Sequence, residues 1–264
     1  MSHYILKYFF CIIALLCSLN SMAISLVQRA DSAYESEDYR SAVELYNNAA
    51  ETEGVSSDLY YNLGNAYYRC GKISQSILAY ERALRLDPTN TDARINLDFV
   101  NSRIVDKKGE TGSFISNTIE KVANAMHSNT WAWIALVMFA VTIGCIAAYF
   151  FSGTIILKKL GFFGGIIVFI LSLVAIFFSF KSKSIAMDPS QAIITSETTV
   201  LSTVPRKPMT RDEEAMLLHE GTKVRVLRSI SVDVDTTKQT WHEVEIDNKH
   251  RAWINDADIE KIAI

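Results

Sequence analysis

Residues suited to catalysis or metal binding are scarce in this chain. Its 264 residues include four cysteines and five histidines, and none of the histidines stands at a metal-ligand spacing. It contains no phosphate-binding glycine loop, no Gly-x-Ser-x-Gly motif and no His-Glu-x-x-His motif. The formal net charge of −3 gives no basic surface for nucleic acid. We therefore predict a binding protein and not an enzyme, with no catalytic residue, no metal and no cofactor.

Cysteine is too scarce outside the apolar segments to form a disulfide. Cys11 and Cys17 fall in the apolar N-terminal segment and Cys145 falls in a later apolar run, which leaves Cys70 alone. We interpret Cys70 as a partly buried residue at a helix end, with a redox-active thiol as the alternative.

The chain does contain a repeat of 34 residues. Residues 57–90 have the pattern of two helices, and a similar pattern occurs one period earlier, in residues 23–56. The matched positions are Ala30, Ala42, Tyr46 and Ala49 in the first copy and Gly64, Ser76, Tyr80 and Ala83 in the second. A fixed period of this size is typical of a solenoid, in which each unit buries its apolar face against the next. A helical hairpin with chance spacing is the alternative.

The second copy resembles the tetratricopeptide repeat at every signature position. These positions are Tyr60, Leu63, Gly64, Tyr67, Ser76, Tyr80, Ala83 and Pro88. Asp87-Pro88 ends the second helix, because proline disfavours the helical conformation of the residue before it. Residues 91–104 follow as one more helix, which we predict to cap a short array within residues 24–105.

In arrays of this family the first helix of each repeat lines a binding groove. By register, the resemblance implies a partner-binding groove lined by Asp31, Tyr34, Glu35, Asp58, Tyr61, Asn62, Asn65, Tyr68 and Arg69. Asn62 and Asn65 match asparagines of the carboxylate clamp, which binds a peptide C-terminus. Tyr61 stands where the clamp has a lysine, so we predict a less specific groove.

The N-terminus has the pattern of a secretory signal peptide. Residues 8–19 form an apolar run after Lys7, and Ser21 and Ala23 are small residues at the −3 and −1 positions of a cut after Ala23. The run is short for a membrane span. We predict a signal peptide over residues 1–23, with an uncleaved anchor or a lipid anchor at Cys17 as alternatives.

Two longer apolar runs follow the repeats. About 20 helical residues cross the hydrocarbon core, which is roughly 30 Å thick. We predict transmembrane helices over residues 130–151 and 160–180, joined by a cytoplasmic loop that contains Lys158 and Lys159. Glycines at 161, 164 and 165 are expected to allow close helix packing. A buried hairpin of a soluble protein is the alternative.

Residues 106–129, which connect the repeats to the first apolar run, contain an amphipathic helical pattern. Ile115, Ile119, Val122 and Met126 recur at a spacing that places them on one helix face. We predict an amphipathic helix that lies on the membrane surface, with packing on the repeats as the alternative.

Residues 191–264 have the pattern of short strands separated by turns. Residues 219–227, together with Trp241 and Trp253, resemble a bacterial SH3-like barrel. Members of that family often bind peptides or cell-wall material. We interpret the two tryptophans as packing residues, with ligand contact as the alternative. Residues 205–218 are predicted to form a long loop that could determine specificity.

The predicted fold class is a multidomain membrane protein with three parts: an α-helical tetratricopeptide solenoid, a two-helix transmembrane hairpin and a small all-β SH3-like barrel. This order of parts, with the motifs at residues 62–68 and 83–88, resembles the aerotolerance (Bat) operon proteins of the Bacteroides group. The resemblance implies a membrane assembly with proteins that contain von Willebrand factor A domains, near a MoxR-type ATPase. It also implies a role in oxidative-stress tolerance or envelope integrity.

Function and location follow as predictions. The predicted role is a non-enzymatic scaffold or adaptor in the bacterial inner membrane, with the repeats and the SH3-like domain on the periplasmic side. The alternative is a cell-wall sensor whose SH3-like domain binds peptidoglycan. Partner proteins are expected in the first case, and nucleic acid in neither.

Overall fold

The computed structural model describes residues 25–106, 112–234 and 237–264. Within these residues, eight α-helices precede a seven-stranded antiparallel sheet. The predicted signal peptide, residues 1–23, lies outside the described residues. The predicted fold class is confirmed, since the structure has tetratricopeptide-like helical packing, two long apolar helices and a C-terminal all-β region.

The first five helices form the repeat region. They are α1 (Leu26–Glu35), α2 (Tyr39–Thr52), α3 (Ser57–Arg69), α4 (Ile73–Leu86) and α5 (Thr91–Asn101). Four of them begin at a side chain that accepts a hydrogen bond from the first-turn backbone, namely Ser25, Asp38, Ser56 and Asn90. The exception is α4, because its N-cap residue Lys72 makes no such bond.

Small residues set the closest approach of paired helices. A Cβ added to Gly64 would lie 2.6 Å from Cε1 of Tyr80, so only glycine fits beside that ring. Ser76 Oγ donates to the Gly64 carbonyl oxygen at 2.9 Å. In the first copy, Ala30 and Tyr46 occupy the equivalent positions and are fully buried. The repeat pattern therefore determines how each helix pair packs.

Two helices are long and apolar enough to cross a membrane. These are α7 (Ser128–Phe151), with 24 residues, and α8 (Ile155–Ala186), with 32 residues. At 1.5 Å per residue α8 is roughly 48 Å long, so part of it extends beyond a hydrocarbon core of about 30 Å. A Cβ on Gly161 would lie 2.7 Å from the Cys145 carbonyl oxygen, and Ser172 Oγ donates to the Ala135 carbonyl oxygen at 3.1 Å. Small and hydroxyl-bearing residues thus join the two helices.

Two details of the hairpin differ from the prediction. Lys158 and Lys159 lie in α8, because no residue between Ile155 and Lys159 interrupts the helix, and Ser152–Thr154 alone joins the two helices. Gly164 was expected at the helix contact, but a Cβ on it would meet no atom within 4 Å. It lies on a face of α8 that turns away from α7.

The connector contains the predicted amphipathic helix, α6 (Phe114–Ala123). It lies at the end of the hairpin and contacts α8. Trp131 Nε1 donates to the Ala123 carbonyl oxygen at 3.3 Å, and Ser182 Oγ donates to the Met126 carbonyl oxygen at 3.4 Å. Phe114 remains 86% exposed. The helix therefore packs on the hairpin and presents an uncovered apolar side chain beside it.

The C-terminal sheet has the strand order β3-β2-β6-β5-β4-β1-β7. The strands are β1 (Gln191–Ile194), β2 (Thr198–Ser202), β3 (Glu214–His219), β4 (Lys223–Val234), β5 (Thr237–Glu245), β6 (Arg251–Asn255) and β7 (Ile259–Lys261). Its core contains Ala192, Ile194, Leu201, Leu218, Val224, Val244, Ala252, Ile254 and Ile259.

The predicted loop over residues 205–218 is wrong in its second half, because β3 occupies that part and pairs with β2. Leu217 and Leu218 stand side by side, so the strand lacks the alternation that marks a strand in sequence. Trp241 and Trp253 are 5% and 8% exposed, and the Arg228 guanidinium lies 5.1 Å from the Trp253 ring centroid. Both indoles are therefore packed into the domain and do not form an open aromatic surface.

Candidate functional site

Two adjoining cavities lie on the repeat helices. The first, about 220 Å³, is called the acidic cavity and is lined by Asp31, Tyr34, Glu35, Tyr46, Asn62 and Asn65. The second, about 210 Å³, is called the aromatic cavity and is lined by Tyr34, Asn65, Tyr68, Arg69, Tyr80, Asn96, Phe99 and Val100. Tyr34 and Asn65 line both, so the cavities form one continuous groove.

The groove contains seven of the nine residues that the repeat register predicted. Asp58 and Tyr61 do not line either cavity. Asp58 is exposed in the first turn of α3, and the Tyr61 ring lies 6.2 Å from the Tyr80 ring. Whether the seven lining residues contact a partner stays a prediction.

A hydrogen-bond network is repeated along the floor of the groove. In the first unit, Tyr46 OH donates to Asp31 Oδ1 at 2.5 Å and Asn62 Nδ2 donates to the same oxygen at 3.3 Å. In the second unit, Tyr80 OH and Asn96 Nδ2 both donate to Asn65 Oδ1, at 2.6 and 2.8 Å. Each of these residues stands 34 positions after its counterpart. The sequence period therefore reappears as a period of side-chain contacts.

This network limits what the two asparagines can do. Asn62 Nδ2 already donates to Asp31 Oδ1, which argues against its use in a carboxylate clamp, whereas the bonds at Asn65 Oδ1 orient that amide without using its Nδ2 donor. Burial raises the pKa of the Tyr80 hydroxyl to about 12, and burial with the bond to Asp31 raises the pKa of Tyr46. Both hydroxyls therefore remain protonated donors at neutral pH, and the floor stays fixed.

The two ends of the groove carry opposite charge. Asp31 and Glu35 line the acidic cavity, and neither has an ion-pair partner among the described residues. At the other end, the Arg69 guanidinium lies 4.2 Å from the Tyr39 ring centroid, and the Arg103 guanidinium lies 4.3 Å from that of Phe99. Flat cations stacked on rings are held in place while their N–H groups stay accessible.

Sequence reasoning treated α5 as a cap and named Tyr46 and Tyr80 only as repeat positions, and so missed parts of the groove. The structure places both tyrosine hydroxyls at the floor, and Asn96 and Phe99 from α5 in the lining. The register could have found this, because Asn96 stands 34 residues after Asn62. In its packing, α5 therefore acts as the first helix of an incomplete third repeat.

The opposite side of the repeats, here called the outer face, is covered by the sheet. Ile77 of α4 shares a buried cluster with Ile193 and Ile262 of the sheet domain. Lys223 Nζ lies 2.8 Å from Glu81 Oε2. Arg82 Nη2 lies 2.9 Å from Glu260 Oε1, and it also donates to the Lys261 carbonyl oxygen at 3.0 Å.

The turn before β4 completes this contact. Glu220 Oε2 accepts hydrogen bonds from Ser74 N at 3.3 Å and Ser74 Oγ at 2.9 Å, at the helix start that Lys72 leaves uncapped. Gly221 has φ +84°, and a Cβ there would lie 2.8 Å from Ile77 Cδ1 and 2.9 Å from Ile104 Cγ2. The turn therefore lies so close to α4 that only glycine fits at position 221.

Asp106 connects the end of the repeat region to the same turn. Its carboxylate accepts hydrogen bonds from His219 N at 2.6 Å and Thr222 Oγ1 at 2.7 Å, and it lies 2.9 Å from His219 Nδ1. Burial opposes ionisation of this carboxyl, but these bonds outweigh it and hold its pKa below the usual range. Asp106 is therefore a charged link between the two regions at neutral pH.

Inside the sheet domain, His242 joins three elements. Its Nδ1 lies 2.6 Å from Ser229 Oγ on β4, and its Nε2 lies 2.7 Å from Asp256 Oδ1 in the turn after β6. The imidazole is 2% exposed. Because both ring nitrogens are used within the domain, the arrangement works as a polar cross-link between strands and turn. Among the described residues, no group of His, Cys, Asp or Glu could hold a metal ion.

Comparison with known proteins identifies one part of the chain. A tetratricopeptide repeat family model matches residues 57–90, which are α3 and α4 with the turn that follows. This repeat is a non-catalytic protein-interaction module. No curated protein matches the chain. The second copy is thus a tetratricopeptide repeat, as its signature residues predicted, and the repeat supports a protein-binding role.

Proposed function

We propose that this protein is a non-enzymatic adaptor held in the bacterial inner membrane, whose groove binds an extended segment of a partner protein. The observation that carries this proposal is the open groove on a tetratricopeptide repeat, with its floor fixed by repeated hydrogen bonds. The hairpin of α7 and α8 supplies the anchor. The sheet domain stiffens the repeats from their outer face.

A two-span topology is supported by the contacts at the open end of the hairpin. Ser179 Oγ donates to the Ser128 carbonyl oxygen at 2.9 Å, so the start of α7 lies beside the last part of α8. The sheet domain after α8 contacts α4, which precedes α7. These contacts support placing both regions on one side of the membrane, and the predicted signal peptide favours the periplasmic side.

The resemblance to the aerotolerance operon proteins supplies the candidate partners. These are proteins with von Willebrand factor A domains, in an assembly concerned with oxidative-stress tolerance or envelope integrity. The cell-wall sensor remains the competing function. This second function is less well supported, because Trp241 and Trp253 are buried and do not form an exposed binding surface.

Topology is tested with a reporter enzyme that is active only outside the cytoplasm. A fusion after Ile264 is expected to be active, and an insertion between Ser152 and Thr154 is expected to be inactive. Activity for the insertion alone would overturn the periplasmic placement.

Groove binding is tested by cross-linking in native membranes followed by mass spectrometry. The variant combines Tyr68→Ala and Arg69→Ala, both in the aromatic cavity. Asn65 is left intact, because its loss would remove the acceptor for two hydrogen bonds. The control combines Arg40→Ala and Asn48→Ala, two exposed positions of α2 outside both cavities.

The groove variant is expected to lose its cross-linked partner while the control keeps it at wild-type protein levels. Equal capture by both variants would remove the groove from the function. Binding of the intact protein to purified peptidoglycan, unaffected by the groove variant, would favour the cell-wall sensor.

A further inference from the structure

We propose that the groove selects partner segments in which a lysine or arginine side chain lies beside a large apolar side chain. The inference rests on the proposed function and specifies the chemistry of its partner. It follows from the charge and shape of the two cavities, which would hold neighbouring side chains of one extended peptide.

The acidic cavity is suited to a cation. Asp31 and Glu35 bring two carboxylates to one cavity of about 220 Å³. Asp31 Oδ1 already accepts two neutral hydrogen bonds, so its charge is oriented but not neutralised. Tyr34 is partly exposed in the same cavity and supplies ring surface against which the methylene chain of a lysine or arginine can pack. A buried cation paired with such carboxylates forms charge-assisted bonds, which are stronger than neutral ones.

The aromatic cavity is suited to an apolar side chain. Four rings line it, those of Tyr34, Tyr68, Tyr80 and Phe99. The Tyr68 and Phe99 rings meet edge to face at 5.8 Å, so they form a fixed corner. Tyr80 is buried, so the ring surface open to a partner is that of Tyr34, Tyr68 and Phe99. A phenylalanine or leucine side chain would bury its area against these rings, while Arg69, which also lines the cavity, keeps its guanidinium stacked on Tyr39.

The position of the two cavities limits the spacing of the two side chains. Because Tyr34 and Asn65 line both cavities, their openings adjoin along α1 and α3. An extended chain advances about 3.3 Å per residue and returns to the same face every second residue. The cation and the apolar side chain are therefore expected on the same face of the segment, with one residue between them.

Charge also determines which segments are rejected. A glutamate in place of the cation would be brought against Asp31 and Glu35, and like charges across an interface are strongly unfavourable. Arg69 lines the aromatic cavity at the other end, and Arg103 stacks on Phe99 of the same cavity. An acidic residue is accordingly tolerated only on the apolar side of the segment.

The experiment uses the full-length protein in detergent micelles and fluorescein-labelled octapeptides. Each peptide has one lysine and one phenylalanine in a Gly/Ser background, with one residue between them, in either order. Matched peptides replace the lysine with glutamate or the phenylalanine with serine. Fluorescence anisotropy measures Kd. At least one lysine–phenylalanine peptide is expected to bind about tenfold or more tightly than its glutamate counterpart. Equal binding of the two, or no binding of any peptide, would overturn the proposal.

Two variants assign the side chains to their cavities. Glu35→Gln is expected to weaken binding of the lysine peptide about three- to fivefold, and this effect should be smaller at high salt. Glu44→Gln, on the exposed surface of α2, is the control. Phe99→Ala is expected to weaken binding of the same peptide about tenfold and to leave the salt dependence of binding unchanged. Phe114→Ala, at an exposed position of α6, is the control. A Glu35→Gln variant that binds the lysine and glutamate peptides as the wild type does would contradict the assignment.

Failure of this inference can be separated from failure of the proposed function. If membrane cross-linking depends on Tyr68 and Arg69 but the peptides show no charge preference, the groove binds a partner by other chemistry. If cross-linking does not depend on those residues, the groove function itself fails.

Discussion

The groove and the outer face belong to the same two repeats, yet one is open and the other is covered. The groove is lined by α1, α3 and α5, with tyrosine hydroxyls and asparagines bonded across the helices. The outer face of α4 instead presents Glu81, Arg82 and Arg85, and the sheet domain pairs with all three. A repeat thus supplies two different surfaces, and the sheet domain occupies the one where charged partners and the close approach of Gly221 come together.

The first repeat shows why the sheet covers the second one alone. One period before Glu81, Arg82 and Arg85, the chain has Asn47, Asn48 and Glu51. Asn47 is bonded to the Tyr67 hydroxyl at 3.0 Å, and neither arginine has a counterpart on α2. Glu260, at the edge of the sheet, therefore forms its ion pair with Arg82 of α4.

The largest effect is expected where the turn meets α4. Gly221→Ala forces an alanine into a positive φ and against Ile77 and Ile104, so the contact should lose about 3 kcal/mol. Gly54→Ala is the matched control, because Gly54 has φ +98° but no atom within 4 Å, and it should cost about 1 kcal/mol. Hydrogen exchange of α4 measures the difference. Equal protection in the two variants would show that the outer face does not need the close approach.

The pH dependence of stability tests how Asp106 contributes to the same contact. Its folded pKa is lowered, so its contribution is present above the unfolded value near 4 and is lost as pH falls through the folded value. Asp106→Asn should weaken the contact between the repeats and the sheet domain by about 2 kcal/mol at neutral pH. It should also remove the part of the acid dependence of this contact that Asp106 supplies. His219, Glu81, Glu220 and Glu260 also face the interface and are present in both proteins, so the difference between the two titrations reports the Asp106 carboxyl. Identical titrations would contradict this role.

The groove floor offers a matched pair of hydroxyl deletions. Tyr46→Phe removes a donor to a carboxylate and should destabilise the repeats by about 2 kcal/mol, whereas Tyr80→Phe removes a donor to an amide and should cost about 1 kcal/mol. Urea unfolding followed by circular dichroism gives both values. The reverse order would contradict the expectation that the hydrogen bond to the Asp31 carboxylate is the stronger of the two.

The smallest effect is expected for the ion pair between Lys223 and Glu81. Both side chains keep some contact with solvent, so Glu81→Gln should cost less than about 1 kcal/mol and its effect should fade with added salt. A loss as large as that of Gly221→Ala would mean that charge, and not close packing, holds the outer face.

Much of this architecture could be predicted from periodicity. The 34-residue pattern located the helices of the repeats, and the long apolar runs located α7 and α8. Strand β3 could not be predicted, because Leu217 and Leu218 break the alternation and its pairing with β2 is a long-range choice. Asn96 escaped notice because α5 was considered as a cap, although its register was visible in the sequence.

Local spacing is enough to locate the repeat, the two apolar helices and most of the residues at the groove. That the sheet domain covers α4 and leaves the groove open follows from the folded structure alone. That choice depends on residues far apart in the chain, with Glu220 at the start of α4 and Gly221 against Ile77 and Ile104. Spacing can show that a helix has two faces, but which face is covered depends on what the rest of the fold brings against it.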